Sequence, residues 1–123
     1  MRHRVRKNLH FKKKDVDHRN AMIRNLLTSI FTHKSLMTTE KKAEALAPFV
    51  DTLINVVNAV VTDQDKMNAI RRVGEYLFTK DSSIELFERV APKFKDKKSG
   101  FTRITPIKYR MGDNAKLVKI ELF

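Results

Sequence analysis

The sequence contains no cysteine, which excludes a disulfide framework, a thiolate-held metal and a cysteine nucleophile. Its three glycines, Gly74, Gly100 and Gly112, are too few and too far apart for a phosphate-cradling loop of the P-loop or dinucleotide type, so a nucleotide-cofactor enzyme is not expected. Long apolar runs are missing too: the longest pieces, such as Val56-Val57 and Ala59-Val60-Val61, fall far short of the roughly 20 residues a membrane span needs. The basic start is followed by no apolar stretch and no small-residue cleavage site, so the expectation is a soluble intracellular protein rather than a secreted one. Acid is scarce relative to base. Against 14 Asp and Glu stand 26 Lys and Arg, a net charge of +12 on 123 residues. An excess of that size attracts polyanions, nucleic acid first and an anionic membrane surface second.

The residues that carry chemistry elsewhere are poorly placed here. His3, His10, His18 and His33 show neither the i, i+4 pairing of a helical metal site nor an adjacent Glu, so no metal is expected. Asp15 and Asp17 resemble a carboxylate pair for a nuclease metal, but at the start of an apolar-periodic run they read as helix-capping groups. Ser82 and Ser83 have no nearby histidine and sit at an expected cap, so no nucleophile is assigned. No cofactor and no small-molecule substrate is implied.

The positive charge is segregated. Residues 1–14 carry Arg2, Arg4, Arg6, Lys7, Lys12, Lys13 and Lys14 with no acid, and residues 89–110 carry eight cations against Asp96 alone. Residues 40–88, by contrast, hold six basic and nine acidic groups, a net of 6 − 9 = −3. Two basic blocks around a mildly acidic middle suggest two RNA-facing surfaces on a solvated scaffold. The first block, with little apolar surface to bury, is expected to be disordered alone and to fold on RNA, where released counterions offset the ordering cost. The domain division that follows is a basic arm at 1–14 and a single folded domain at 15–123.

Periodicity predicts the rest. Met22, Ile23, Leu26, Leu27, Ile30 and Phe31 recur at helical spacing behind Asp15 and Asp17, with Arg24, Asn25 and Thr28 placed on the opposite side. Leu36 to Thr39 is a candidate short strand. A second helix is read from Ala43, Leu46, Ala47, Val50, Leu53, Ile54, Val57 and Val61, with Pro48 a kink or a late start. A third turns Met67, Ile70, Val73 and Leu77 inward. A fourth starts at Ser82, which with Glu85 has a capping-box spacing, and buries Ile84, Phe87, Val90 and Ala91 before Pro92. Phe101 to Arg110 reads as a strand in which Pro106 marks an edge or a bulge. Leu117 to Phe123 alternates cleanly, and Gly112-Asp113-Asn114 between them supplies a turn, so the chain is expected to end in an antiparallel hairpin. The fold class is α+β in two layers, about four helices packed on a small sheet.

Lys93 to Lys98 leads straight into Gly100-Phe101-Thr102-Arg103, where a glycine allows close backbone approach and an aromatic and an arginine sit among hydroxyls, a mixture suited to RNA. A DNA-binding helix-turn-helix is the main alternative, since the third and fourth helices are joined by a short polar turn. Glu85 and Glu88 near the start of the would-be recognition helix oppose it. A membrane-surface protein would need a strongly basic amphipathic helix, and none is seen.

Four motifs carry a resemblance: Met1-Arg2-His3-Arg4, His18-Arg19-Asn20-Ala21-Met22-Ile23-Arg24-Asn25, Gly100-Phe101-Thr102-Arg103-Ile104 and Arg110-Met111-Gly112-Asp113-Asn114-Ala115. In this order and spacing, with Thr38-Thr39 before the second helix, the chain resembles the family of protein seventeen of the bacterial large ribosomal subunit. The resemblance implies a two-layer fold of helices and sheet, no enzymatic activity, and a cytoplasmic ribosomal protein that binds large-subunit ribosomal RNA. It also implies a place near the exit of the nascent-peptide tunnel, beside other ribosomal proteins, in support of subunit assembly and translation. Val5-Arg6-Lys7-Asn8 departs from the glycine that the family's arm commonly has, and the second helix carries fewer cations than in many relatives. Charge, position and resemblance together nominate as RNA contacts Arg2, His3, Arg4, Arg6, Lys7, His10, Lys12, Lys13 and Lys14 in the arm. On the first helix they nominate His18, Arg19, Arg24 and Asn25, and toward the C-terminus Lys97, Lys98, Arg103, Lys108 and Arg110. Arg19, Arg24, Arg103 and Arg110 are the expected anchors, because a guanidinium holds a phosphate through two hydrogen bonds.

Overall fold

A computed structural model describes residues 15–123, and the basic arm expected at 1–14 lies outside the described residues. The first helix, α1 (Val16–His33), buries Ile23, Leu27, Ile30 and Phe31. Asp15 occupies its N-cap position but its side chain makes no capping hydrogen bond, so the expected cap is positional only. The helix ends at Lys34 in the left-handed region at φ 67°, its N–H donating to the Ile30 carbonyl. The Lys34 carbonyl then accepts from Leu122 N–H, so the chain passes from helix to sheet in one residue.

The expected short strand is β1 (Ser35–Thr39), and it runs directly into α2 (Glu40–Asn58). Ala43, Leu46, Val50, Leu53, Ile54 and Val57 form the buried stripe of α2. Pro48 lies inside this helix rather than at its start, and its ring removes the N–H that would reach the Glu44 carbonyl. The helix ends before Val61, which is 88 % exposed and not the core residue its spacing suggested.

A capping box opens α3 (Asp63–Gly74): Thr62 Oγ1 accepts from Asp65 N–H and Asp65 Oδ2 accepts from Thr62 N–H. Ala69, Val73 and Leu77 are buried, whereas Met67 and Ile70, expected inside, are about half exposed. The next helix, α4 (Lys80–Glu85), starts earlier than the Ser82-to-Glu85 spacing predicts. Thr79 is its cap, accepting from Ser82 N–H, and the Ser82 hydroxyl is fully buried and donates to the Thr79 carbonyl. The chain continues through a π-helical turn, Leu86–Val90, and a 3-10 turn, Ala91–Phe94, in which Pro92 has no N–H with which to continue a regular helix. Leu86, Val90, Ala91 and Phe94 face the core, while Ile84 is exposed, contrary to its expected burial.

Two strands complete the fold, β2 (Thr102–Tyr109) and β3 (Lys116–Leu122), giving a three-stranded antiparallel sheet of order β1-β3-β2. The arrangement is the expected α+β one. β3 is central because both neighbours pair with it, and its alternation buries Val118 and Ile120 against the helices. β2 is an edge strand with a bulge between Pro106 and Lys108, so Pro106 sits where a missing donor costs least. Helices cover one face of the sheet. On the other, alternation presents the rows Ser35–Glu121–Arg103, Met37–Lys119–Thr105 and Thr39–Leu117–Lys108.

Candidate nucleic-acid interface

The open face of the sheet and the β2–β3 hairpin gather most of the C-terminal candidates. Arg103, Lys108 and Arg110 are exposed along β2 and its end, and Lys119, not anticipated from charge blocks, is exposed between them on β3. The strict alternation of β3 was the signal that could have found it. The hairpin also exposes Ile107, Tyr109 and Met111, apolar groups of the kind that stack on or wedge against unpaired bases. Lys116 is less available, because its Nζ lies 3.4 Å from Glu40 Oε1.

The hairpin turn is built around an ion pair. Arg110 Nε and Nη2 donate to Asp113 Oδ1 and Oδ2 at 2.9 and 2.6 Å, and Ala115 N–H donates to Oδ1. The guanidinium hydrogen bonds, with the Ala115 N–H, hold the Asp113 carboxyl down at about 2 and push Arg110 up. Both side chains are about half exposed, so Arg110 is fixed in direction while one edge still faces solvent. The turn's left-handed residue is Asn114, at φ 57°, and not Gly112, which has no positive φ and no heavy atom within 4 Å of an added Cβ. Of the Gly112-Asp113-Asn114 turn residues it is thus Asn114 that takes the special conformation: the amide side chain of Asn tolerates it, so glycine is not required.

The end of the lysine-rich segment is tied to α2 at two successive turns. Asp51 on α2 accepts from Gly100 N–H and Phe101 N–H, each at 3.3 Å, and Asn55 Nδ2 donates to the Lys98 carbonyl at 2.9 Å. Gly100 takes φ +71°, which is what its glycine supplies; there is no close approach around it. Phe101 is fully buried, edge-on to Phe94 with ring centroids 5.2 Å apart, so it is core and not a stacking platform. Phe123 takes the exposed aromatic role instead. Arg103 lies 3.5 Å over its ring, and Lys97 lies 5.0 Å from the ring centroid and donates to the Phe123 carbonyl at 3.3 Å. Lys97 and Arg103 are thereby brought together with Lys98 nearby in the chain.

The α1 candidates are not gathered on one face. At about 100° per residue, His18 and Asn25 point outward together, and Arg19 and Arg24 flank the core stripe on opposite sides. Arg24 is half-buried, its guanidinium 4.1 Å over the Phe78 ring, while Thr28 Oγ1 donates to the Arg24 carbonyl and accepts from Phe78 N–H. Arg24 and Thr28 thus hold the segment after α3, where an outward face had been expected. The helix-turn-helix alternative finds no support, since α4 is six residues long and Glu85 is engaged by Arg89 at 3.1 Å and Lys34 at 3.9 Å. Among the described residues no group of three metal-ligating side chains is assembled, and no helix is long and apolar enough to cross a membrane.

The family model described as Ribosomal protein L17 matches residues 22–123. A relative from Desulforudis audaxviator (strain MP104C), a large ribosomal subunit protein bL17, is 35% identical over 106 residues, covering 86% of this chain and 90% of its own. One of the same name from Desulfitobacterium hafniense (strain DSM 10664 / DCB-2) is 34% identical over 109 residues, covering 89% and 93%. A third, from Porphyromonas gingivalis, is 40% identical over 105 residues, covering 85% of this chain and 62% of the relative. With a match that runs from within α1 to the end of β3 and relatives about 35% identical over most of its length, this chain belongs to the ribosomal protein L17 family, whose members are structural and not enzymatic.

Proposed function

We propose that the protein is a cytoplasmic structural constituent of the bacterial large ribosomal subunit that binds its ribosomal RNA near the nascent-peptide tunnel exit, supporting subunit assembly and translation. The observation that carries the RNA assignment is the uncovered sheet face with its hairpin: Arg103, Lys119 and Lys108 lie along the face, and Arg110 with exposed Ile107, Tyr109 and Met111 lies toward the hairpin end. Lys97 and Lys98 extend this surface through the Phe123 cluster, and His18, Arg19 and Asn25 offer a second edge on α1. The arm residues Arg2 to Lys14 supply the remaining charge from outside the described residues. The scaffold fixes register, and each cation that neutralises a phosphate releases counterions. Family membership supports the position beside other large-subunit proteins.

Two measurements test this. Replacing Arg103 and Lys108 together with Ala should lower the salt slope of binding to large-subunit RNA by about two, and removing residues 1–14 by up to about six. Nearly salt-independent binding would refute the assignment. Because the chain has no cysteine, Lys108→Cys gives a unique tether for a cleaving iron chelate. Scission of RNA around the tunnel exit is expected; scission only elsewhere would overturn the location.

A further inference from the structure

A groove of about 580 Å³ lies between α1, α2 and the segment after α3, and the RNA reading does not use it. Phe49 and Tyr76 face each other at 6.2 Å between centroids and 51° between planes, and Phe78 is held by Thr28 and capped by Arg24. Phe49 and Phe78 are 37 % and 48 % exposed, an unusual amount of aromatic surface to leave in water. Asp17 and Glu75 line the same groove, both are exposed, and neither forms an ion pair with a described residue. The Nε of Arg24 is buried with no acceptor among the described residues.

We infer that this groove docks an extended cationic segment of a neighbouring ribosomal protein. Aromatic rings beside unpaired carboxylates recognise a guanidinium or ammonium group, which lays its stem on the rings and turns its charge to the acids. Arg24, parked on Phe78, is left with donors for a backbone carbonyl of the incoming segment. The groove's lining carries two carboxylates against one guanidinium, and Phe49, Glu75, Tyr76 and Phe78 belong to residues 40–88, whose net charge is −3, so charge complementarity selects a basic partner. RNA is disfavoured here because its phosphates would meet two carboxylates, with Arg24 the one cation lining the groove among the described residues. This docking rests on the proposed place in the large subunit.

The test uses full-length protein assembled into large subunits, with Phe49→p-benzoylphenylalanine as a photo-crosslinker in the groove and Tyr109→p-benzoylphenylalanine as a control on the hairpin. The groove probe should join a peptide of another ribosomal protein carrying net positive charge, and the hairpin probe should join RNA. A groove crosslink to RNA, to an uncharged or acidic segment, or to nothing in assembled subunits would overturn the docking. Exclusion of the unsubstituted chain from large subunits would instead overturn the proposed function and this docking with it. A second arm avoids altering the aromatics: Asp17→Lys with Glu75→Lys should weaken retention of that neighbour through a salt wash by roughly tenfold. Binding of the purified double variant to ribosomal RNA should be undiminished. Unchanged retention of every neighbour would refute the inference.

Discussion

Asp51→Ala separates position from charge in the candidate interface. The carboxylate accepts two backbone hydrogen bonds, from Gly100 and Phe101, each 3.3 Å long and the first exposed. Hydrogen bonds to a charged acceptor contribute about 1.5–3 kcal/mol when short and shielded. These are long and partly solvated, and Asn55 still holds Lys98, so the pair together should contribute about 1–2 kcal/mol. For a chain of this size that corresponds to a melting temperature lower by roughly 3–10 °C. The RNA affinity carries the sharper sign. Removing a negative charge would, by electrostatics alone, tighten binding to a polyanion. If Asp51 instead serves to hold Lys97 and Lys98 where they reach phosphate, affinity should fall and the salt slope should drop by about one to two. Asp51→Asn, which keeps one acceptor oxygen, should lie between. Urea unfolding and filter binding at several salt concentrations measure both quantities on the same samples. Loss of stability with unchanged or tighter RNA binding would refute the positioning role of the clamp.

Asn114→Val should destabilise by about 1–3 kcal/mol in urea because of its left-handed φ, whereas Gly112→Ala should change stability by less than ~0.5 kcal/mol; the reverse order would refute the turn assignment. The Asp113 carboxyl should titrate at about 2 by NMR and return toward 3.8 in Arg110→Ala. Since its folded value lies below the unfolded one, the pair's stabilisation is present above about pH 4 and is lost as pH falls toward 2, and a midpoint unchanged by Arg110→Ala would contradict the ion pair. Ile120→Ala, at the centre of β3 and fully buried, should cost about 2–5 kcal/mol, while Met37→Ala on the open sheet face should cost under ~1 kcal/mol; similar losses at both sites would show that the face is covered.

Much of this protein is legible in local order. The spacing of Ile23, Leu27, Ile30 and Phe31 and the stripe of α2 follow from helical period, and the Val118, Ile120 and Leu122 alternation from strand period, because both are set by covalent geometry. Pro106 foretold an edge and a bulge for the same kind of reason. The segregation of charge points to a polyanionic partner, and the motifs from His18 to Ala115 point to the family. Period, however, reports which side of an element is apolar and not how much of that side a neighbour covers. Met67, Ile70 and Ile84 keep the right period yet stand exposed, and Val61 lies beyond the end of its helix. Caps and turns are close contests between adjacent polar residues, which is why Thr79 could not be told from Ser82 nor Asn114 from Gly112. The site's decisive contacts join residues 20 or more apart in the chain: Asp51 with Gly100, Arg24 with Phe78, Lys97 and Arg103 with Phe123. Sequence alone determined a basic α+β protein with its cations gathered toward the two ends. Only the packing of α1 and α2 on one face of β1-β3-β2 decided which cations share a surface and which, like Arg24, turn inward, because side-chain reach is set by the placement of distant backbones and not by spacing along the chain.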